Sequence, residues 1–181
     1  MGLRNRAKFN EYNIFFITTT CNKWLHLLSI GNSMSIVVES LSFCCNKYQA
    51  SITAYVLMPN HIHLLIYFEE GKNRISFMRD FKKFTSTQIR KEIERTEANL
   101  LDKIRYEKGK QVFKIWQDRF DELYIITKEL FEQKMEYIHN NPLQEHWDLA
   151  NEPKLYQYSS ALFYEENIQR ELIVKHYADF F

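Results

Sequence analysis

Two histidines with one residue between them, His61 and His63, lie in one of the most apolar stretches of the chain, SITAYVLMPNHIHLLIYF (51–68). Alternate residues of a strand share a face, so both imidazoles would point to one side while Ile62 and Leu64 point into the core. Two imidazole nitrogens at this separation can bind one cation. The alternative is a pair of half-exposed strand histidines that hydrogen-bond to their neighbours.

A tyrosine and an asparagine form a second candidate group, in the sequence MEYIHNNP. A helix that ends at Pro142 places Gln133, Tyr137 and Asn141 at four-residue steps along one stripe. The Asn141 amide offers a neutral oxygen ligand, and two imidazoles with one such oxygen leave open positions, as in catalytic metal sites. Mg²⁺ or Mn²⁺ fits this set. Without a thiolate or a third histidine nearby in sequence, structural zinc is disfavoured, although imidazoles also accept zinc or nickel.

Hydrophobic periodicity predicts the elements that would hold these residues. Period-two alternation with β-branched and aromatic residues predicts strands at 13–21, 51–58 and 61–68, and one strand or two short extended pieces within 112–126. Three- and four-residue spacing predicts helices at 29–48 and 74–97, a third from Thr127 to Pro142, and a short one near 159–165. The Pro59-Asn60 corner joins two of the strands as a hairpin.

The order strand, helix, strand, strand, helix, strand matches a split βαβ, ferredoxin-like α+β fold, with a central antiparallel sheet and helices on one face. A chain of 181 residues with 45% hydrophobic content can close one sizeable core. We therefore expect a single domain over 1–181, with a C-terminal tail from about residue 150 that packs on it.

Composition narrows the class of protein. No apolar run approaches the roughly 20 residues of a membrane span, and MGLRNRAKFNEYN lacks the hydrophobic segment of a signal peptide, so we expect a cytoplasmic protein without a membrane partner. Three cysteines without CxxC spacing indicate reduced, packed thiols. A net charge of +1 neither requires nor excludes a polyanionic partner.

Three motifs together resemble the REP-associated tyrosine transposases, a branch of the HUH single-strand nucleases. They are PNHIH within an apolar strand pair, WQDRF about fifty residues later, and MEYIHNNP. Their order and spacing match over about residues 15–160. Two differences concern segments beside these motifs: the family's NPVKxG is NPLQEH here, which removes a positive charge, and its WxxSS is YQYSS.

The resemblance implies a ferredoxin-like domain that nicks and rejoins single-stranded DNA next to a hairpin. It implies that His61 and His63 bind the metal, that Asn141 is the third ligand and that Tyr137 is the nucleophile. Attack on a DNA phosphorus would leave a 3′-hydroxyl and a 5′-phosphotyrosine. The cofactor would be Mg²⁺ or Mn²⁺, which assists because a phenol with an ordinary pKa near 10 is a weak nucleophile at neutral pH.

A DNA substrate also needs positive charge to hold its phosphates. In the basic helix 74–97, Lys82 and Lys83 are the preferred phosphate contacts, with Arg79 and Arg90 as further candidates. The alternative is a solvated face that only keeps the protein soluble. Trp116-Gln117 would either contact DNA or pack the tyrosine helix against the sheet.

The expected partner is single-stranded DNA with a palindromic hairpin. The resemblance favours a monomer, whereas related insertion-sequence transposases are dimers that exchange the tyrosine helix. Two other functions stay open: a domesticated protein that binds DNA hairpins without cleaving them, and a metal-dependent phosphodiesterase in which Tyr137 is structural.

Overall fold

The computed structural model describes residues 13–108 and 111–181. Within these residues the strands and α-helices follow one another as β1 (Ile14–Thr20), α1 (Ser33–Tyr48), β2 (Ala50–Leu57), β3 (His61–Phe68), α2 (Asn73–Thr96), α3 (Leu101–Ile104), β4 (Arg105–Lys108), β5 (Gln111–Phe113), β6 (Asp121–Tyr124), α4 (Lys128–Asn140) and α5 (Ala161–Glu166). Short 3-10 turns join several of them, including Asn141–Leu143 directly after α4. None of the helices in this described part combines the length and the apolarity of a bilayer span.

The central sheet contains four strands in the order β2-β3-β1-β6, and every neighbouring pair is antiparallel. Along the chain these four strands come in the order β1, β2, β3 and β6. Numbered one to four in that way, they lie in the sheet in the order 4-1-3-2, which is the predicted split βαβ topology. The α+β class is therefore confirmed. The register pairs Thr18 with His63 and Thr20 with His61, so β1 supplies immediate neighbours of both histidines.

The two faces of the sheet are both covered. Ile62, Leu64 and Ile66 of β3 face a large core that is closed by α1 and α2. Their alternation partner Leu65 faces a smaller core on the other side, where Phe131 and Ile138 of α4 are buried. The two long helices thus share one face as predicted, while α4 lies on the opposite face because its apolar stripe is buried there. This places α4 on the same side as the histidine pair.

Several boundaries differ from the predicted ones. The helix predicted at 29–48 begins at Ser33, because Leu27–Ser29 forms a separate 3-10 turn. The predicted segment 112–126 contains the end of β5 and all of β6, with an irregular stretch between them. Neither α3 nor β4 was predicted, since residues 98–108 mix charged and apolar side chains without a sustained period.

The C-terminal segment extends the fold along the outer edge of β2. The backbone N–H of Leu57 donates to the carbonyl of Tyr158 at 2.9 Å, and that of Ser160 donates to Tyr55 at 3.1 Å. Leu172 is buried in the larger core. These bonds cover a strand edge that would otherwise be open. The prediction of one domain over 1–181 also includes residues 1–12 and 109–110, which lie outside the described residues, and it stays a prediction.

The three cysteines carry free thiols, as expected. Cys21 and Cys44 are buried and Cys45 is half-buried. Burial raises the pKa of Cys44 to about 11 and that of Cys45 to about 12, and it raises the pKa of Cys21 as well. Thiols with such pKa values stay protonated at neutral pH and are poor nucleophiles.

Candidate active site

A cavity of about 600 Å³ brings the predicted ligands and the predicted nucleophile together. Its walls include His61 and His63 from β3, Tyr137 from α4, and Asn141 from the turn after α4. The ring centroids of the two histidines are 4.7 Å apart, and those of His63 and Tyr137 are 5.3 Å apart. Both imidazoles are buried, whereas Tyr137 keeps 44% of its surface exposed. A substrate could therefore reach the phenol beside two shielded nitrogen donors.

The orientation of His61 is fixed by its neighbour Asn60. The Asn60 amide nitrogen donates to the carbonyl of Trp24 at 3.1 Å, so the amide oxygen faces the His61 ring, where Nδ1 donates to it at 2.6 Å. With its proton on Nδ1, the imidazole keeps a lone pair on Nε2. Such an acceptor on the far nitrogen is the arrangement that orients metal-binding histidines in proteins.

His63 is held in a comparable way. Its Nδ1 lies 2.7 Å from the hydroxyl oxygen of Thr18, its cross-strand partner, and its ring stacks on Phe16 with centroids 5.3 Å apart. Burial lowers the pKa of His61 to about 4, an effect that the Asn141 side chain partly opposes. Burial, with a smaller repulsion from His61, lowers the pKa of His63 to about 3. Both rings are therefore neutral at pH 7, the form that binds metals.

Asn141 contributes a buried carboxamide to the wall of this cavity. The residue is 2% exposed, and its Oδ1 has no hydrogen-bond partner within the described part of the chain. A buried polar atom without a partner costs about 1–3 kcal/mol, so native proteins rarely keep one without a use. No group of three His, Cys, Asp or Glu in the described ranges could hold a metal ion. A three-ligand set at this cavity would therefore need the Asn141 carboxamide, whose orphaned oxygen fits a divalent cation.

The tyrosine is positioned by the way α4 begins and packs. The helix starts at Thr127, whose hydroxyl accepts the backbone N–H of Leu130 at 3.1 Å. Burial of Phe131 on the smaller core turns the next stripe of the helix, with Tyr137, toward the cavity. One turn before Tyr137, the Lys134 ammonium lies 5.9 Å from the tyrosine ring centroid. A positive charge thus sits next to the candidate nucleophile.

The cavity also contains residues that the sequence analysis did not select. Trp24, His26, Gln144, His146 and Trp147 line it. They come from the irregular segments after β1 and after α4, where no periodicity signals a shared face. Their only signal in the sequence is that some of them lie next to a motif. Asn60 precedes the histidine pair, and Gln144 and His146 belong to the NPLQEH segment that follows the tyrosine motif.

The predicted DNA-binding residues lie apart from this cavity, because α2 covers the other face of the sheet. The Lys82 ammonium donates to the three carbonyls of residues 117–119 at 2.6–3.3 Å, and burial lowers its pKa to about 8. Arg79 and Arg90 pair with carboxylates of the same helix. Lys83 lines a separate groove between α1 and α2. Lys82 thus supports a loop in this structure, and the roles of all four in DNA binding stay predictions.

The WQDRF segment packs on α2 rather than on the tyrosine helix. The indole N–H of Trp116 donates to the Thr85 hydroxyl at 2.9 Å, and its ring lies 5.8 Å from Phe81. Trp116 therefore packs on a helix, but this helix is α2 and not the tyrosine helix that was expected. The next residue, Gln117, donates its backbone N–H to Thr20 at 2.9 Å, which anchors the segment at a strand end that lines the cavity.

Comparison with known proteins gives three findings. The family model for Transposase IS200 like matches residues 11–141. An uncharacterized protein of Haemophilus influenzae is 26% identical over an alignment of 163 residues, and the match covers 77% of this chain and 88% of that protein. A solved structure of a REP-associated tyrosine transposase bound to a REP hairpin covers 92% of this chain and 87% of its own, with a TM-score of 0.64 and 19% identity. The last likeness shows a shared fold.

Proposed function

Since the chain belongs to the IS200-like transposase family, we propose that it is a metal-dependent single-stranded DNA endonuclease that nicks and rejoins DNA near hairpins. The observation that carries this proposal is the meeting of His61, His63, Tyr137 and Asn141 in one cavity of a single chain. The solved structure with the same fold contains a REP hairpin, which supports a hairpin as the partner here.

Tyr137 is the proposed nucleophile. Its phenolic oxygen forms a bond to the DNA phosphorus while the bond from phosphorus to the 3′-oxygen breaks. The phenol loses its proton to solvent, which reaches the half-exposed side chain, and the departing 3′-oxygen takes up a proton. The products are a free 3′-hydroxyl and a 5′-phosphotyrosine. Attack by another 3′-hydroxyl on the phosphotyrosine restores a DNA phosphodiester and frees the enzyme without ATP.

The residues around the phenol have distinct tasks. His61, His63 and Asn141 would hold Mg²⁺ or Mn²⁺, which polarises phosphoryl oxygens and offsets negative charge when bound. The Nδ1 contacts of the two imidazoles keep their Nε2 atoms directed away from Asn60 and Thr18. All of these groups come from one chain, which supports a monomer as the active unit.

Lys134 supplies a second positive charge at the site. Its ammonium lies 5.3 Å from the Phe16 ring centroid and 5.9 Å from that of Tyr137, where the ring faces attract it. In this position it can contact an oxygen of the phosphate that Tyr137 attacks. The charge would be worth most in the transition state, when negative charge builds up on those oxygens.

The proposal is tested by covalent capture of DNA. The purified chain is incubated with Mn²⁺ and a single-stranded oligonucleotide that contains a palindromic repeat from DNA flanking its gene. Wild type should give a protein–DNA band that survives denaturation, and Tyr137→Phe should give none. Tyr48→Phe is the matched control, since this tyrosine lies on α1 at the other face of the sheet and should leave the band unchanged.

The same assay separates the two other functions. A domesticated hairpin-binding protein would shift the oligonucleotide in a native gel but leave it intact with and without Mn²⁺. A phosphodiesterase would release cleaved DNA with no covalent band in wild type. A band that persists in Tyr137→Phe would assign the nucleophile to another residue and contradict the proposal.

A further inference from the structure

A large indole is exposed at the wall of the candidate active site. Trp24 ends the 3-10 turn Asn22–Trp24, shortly after β1, and keeps 60% of its surface exposed, although it lines the same cavity as Tyr137. Tryptophan gains stability from burial, so an exposed indole beside a reaction centre is an unusual placement. Its position indicates a surface that another molecule covers.

The backbone that presents this indole is strained. Lys23 and Trp24 have φ values of 55° and 57°, in the left-handed region that side chains with a Cβ rarely adopt. Such conformations persist where surrounding contacts enforce them, and they cluster at functional sites. Here the Trp24 N–H donates to Cys21 at 3.1 Å, and its carbonyl accepts the Asn60 amide at 3.1 Å. The turn is therefore held from both sides.

The Asn60 contact links the indole to the candidate metal site. Asn60 holds Trp24 with its amide nitrogen and His61 with its amide oxygen. The Trp24 and His61 rings meet edge to face, with centroids 6.4 Å apart. One side chain thus sets the positions of the exposed indole and of a predicted metal ligand together.

Further aromatic rings continue this wall. The Trp147 ring lies 5.9 Å from His61 and 5.2 Å from His26. The cavity volume of about 600 Å³ is in the range of small-molecule sites, about 300–1,000 Å³, and is large enough for a nucleotide. Aromatic side chains bind single-stranded DNA by stacking, because every base presents a π-face.

We infer that Trp24 stacks on an unpaired base of the substrate strand, next to the phosphate that Tyr137 attacks, with Trp147 as the inner wall of the same base site. This inference rests on the proposed function and names how its substrate is held. Stacking is tolerant of base identity, so the site would position the strand without selecting its sequence. It also requires an unpaired base, which gives the cavity a preference for single strands over duplex DNA.

The test compares two probes that carry the same phosphates. Binding of a fluorescent oligothymidylate and of an abasic oligomer of equal length is measured by anisotropy with the full chain in EDTA, which prevents metal-dependent cleavage. Trp24→Ala should weaken binding of oligothymidylate by about 5- to 150-fold and leave binding of the abasic oligomer within about 2-fold. Trp24→Phe should keep most of the affinity, because it retains a π-face.

A matched control comes from the other face of the sheet. Phe43 on α1 is 65% exposed, and Phe43→Ala should change binding of neither probe. Quenching of tryptophan fluorescence in the folded protein gives a second readout. Oligothymidylate should quench emission in Trp147→Phe, which keeps Trp24. It should leave emission nearly unchanged in the double variant Trp24→Phe/Trp147→Phe, because the remaining Trp116 is 3% exposed and inaccessible to a base.

Two results would overturn the inference: equal binding of both probes by wild type and Trp24→Ala, or an equal loss for both probes, which would reflect charge or a rearranged turn. Failure of the proposed function looks different. A chain that never forms a covalent band but shows a base-dependent effect of Trp24 would keep the stacking site and lose the nicking activity. A chain that forms the band without any base-dependent effect of Trp24 would keep the nicking activity and lose the stacking site.

Discussion

Replacement of Asn141 by leucine should affect stability with opposite signs in the absence and presence of metal. Leucine has nearly the shape of asparagine, and the position is 2% exposed. In the metal-free protein the substitution removes a buried oxygen that has no hydrogen-bond partner within the described residues.

The magnitude follows from the cost of burying this oxygen without a partner. Removal of this acceptor gains about 1–3 kcal/mol. The free energy of unfolding of Asn141→Leu in EDTA should therefore exceed that of wild type by about 1–3 kcal/mol. Each kcal/mol raises Tm by about 2–4 °C in a chain of this size. With Mn²⁺ at a hundredfold excess over Kd, wild type should gain about 2.7 kcal/mol.

The assay is thermal unfolding in EDTA and in Mn²⁺ for wild type, Asn141→Leu and a control, Asn140→Leu. The leucine at 141 removes one of three ligands, so this variant should gain little from Mn²⁺ and become the less stable protein in its presence. Asn140 is exposed at the end of the same helix, and its variant should respond to Mn²⁺ as wild type does. An Asn141→Leu protein that is less stable in EDTA by more than about 1 kcal/mol, yet keeps its full response to Mn²⁺, would refute the reasoning.

Three further predictions test other parts of the account. Lys134→Ala should slow formation of the covalent band by about tenfold in single-turnover kinetics, and Lys134→Arg should retain most of the rate because it keeps the positive charge. An unchanged rate in the alanine variant would remove the lysine from the mechanism. Lys82→Met should lower the free energy of unfolding in urea by about 1–3 kcal/mol because it removes bonds to three carbonyls, whereas Lys83→Met should leave it unchanged. Equal effects of the two variants would contradict the role of Lys82 in supporting the loop at residues 117–119. Iodoacetamide at pH 8 should label Cys44 and Cys45 slowly in the folded protein, because burial raises their pKa values to about 11 and 12 and keeps the thiols protonated; rapid labelling seen by mass spectrometry would argue against that burial.

The ligand set could be proposed from sequence because local geometry determines most of it. Strand alternation alone places His61 and His63 on one face, and the four-residue step along a helix places Tyr137 and Asn141 on one stripe. The order of strands and helices likewise indicated the sheet topology. These are short-range rules, and the family membership confirms the resemblance that joined them.

What the sequence did not indicate depends on contacts between distant segments. Nothing local says that α4 covers the face opposite α1 and α2, or that Thr18 lies across from His63. Lys82 looked like a phosphate contact in a basic helix, but it meets backbone carbonyls 35 to 37 residues later in the chain. The left-handed turn at Trp24 depends on Asn60, 36 residues away, and no pattern of side chains in the sequence predicts this turn.

The most direct test of the central claim is to identify the amino acid that becomes joined to DNA. The covalent product formed with Mn²⁺ and a hairpin oligonucleotide is digested with nuclease and protease, and the modified peptide is sequenced by mass spectrometry. The account predicts a nucleotide attached through phosphate to the phenolic oxygen of Tyr137. A nucleotide on any other residue, or cleaved DNA with no modified peptide, would contradict it.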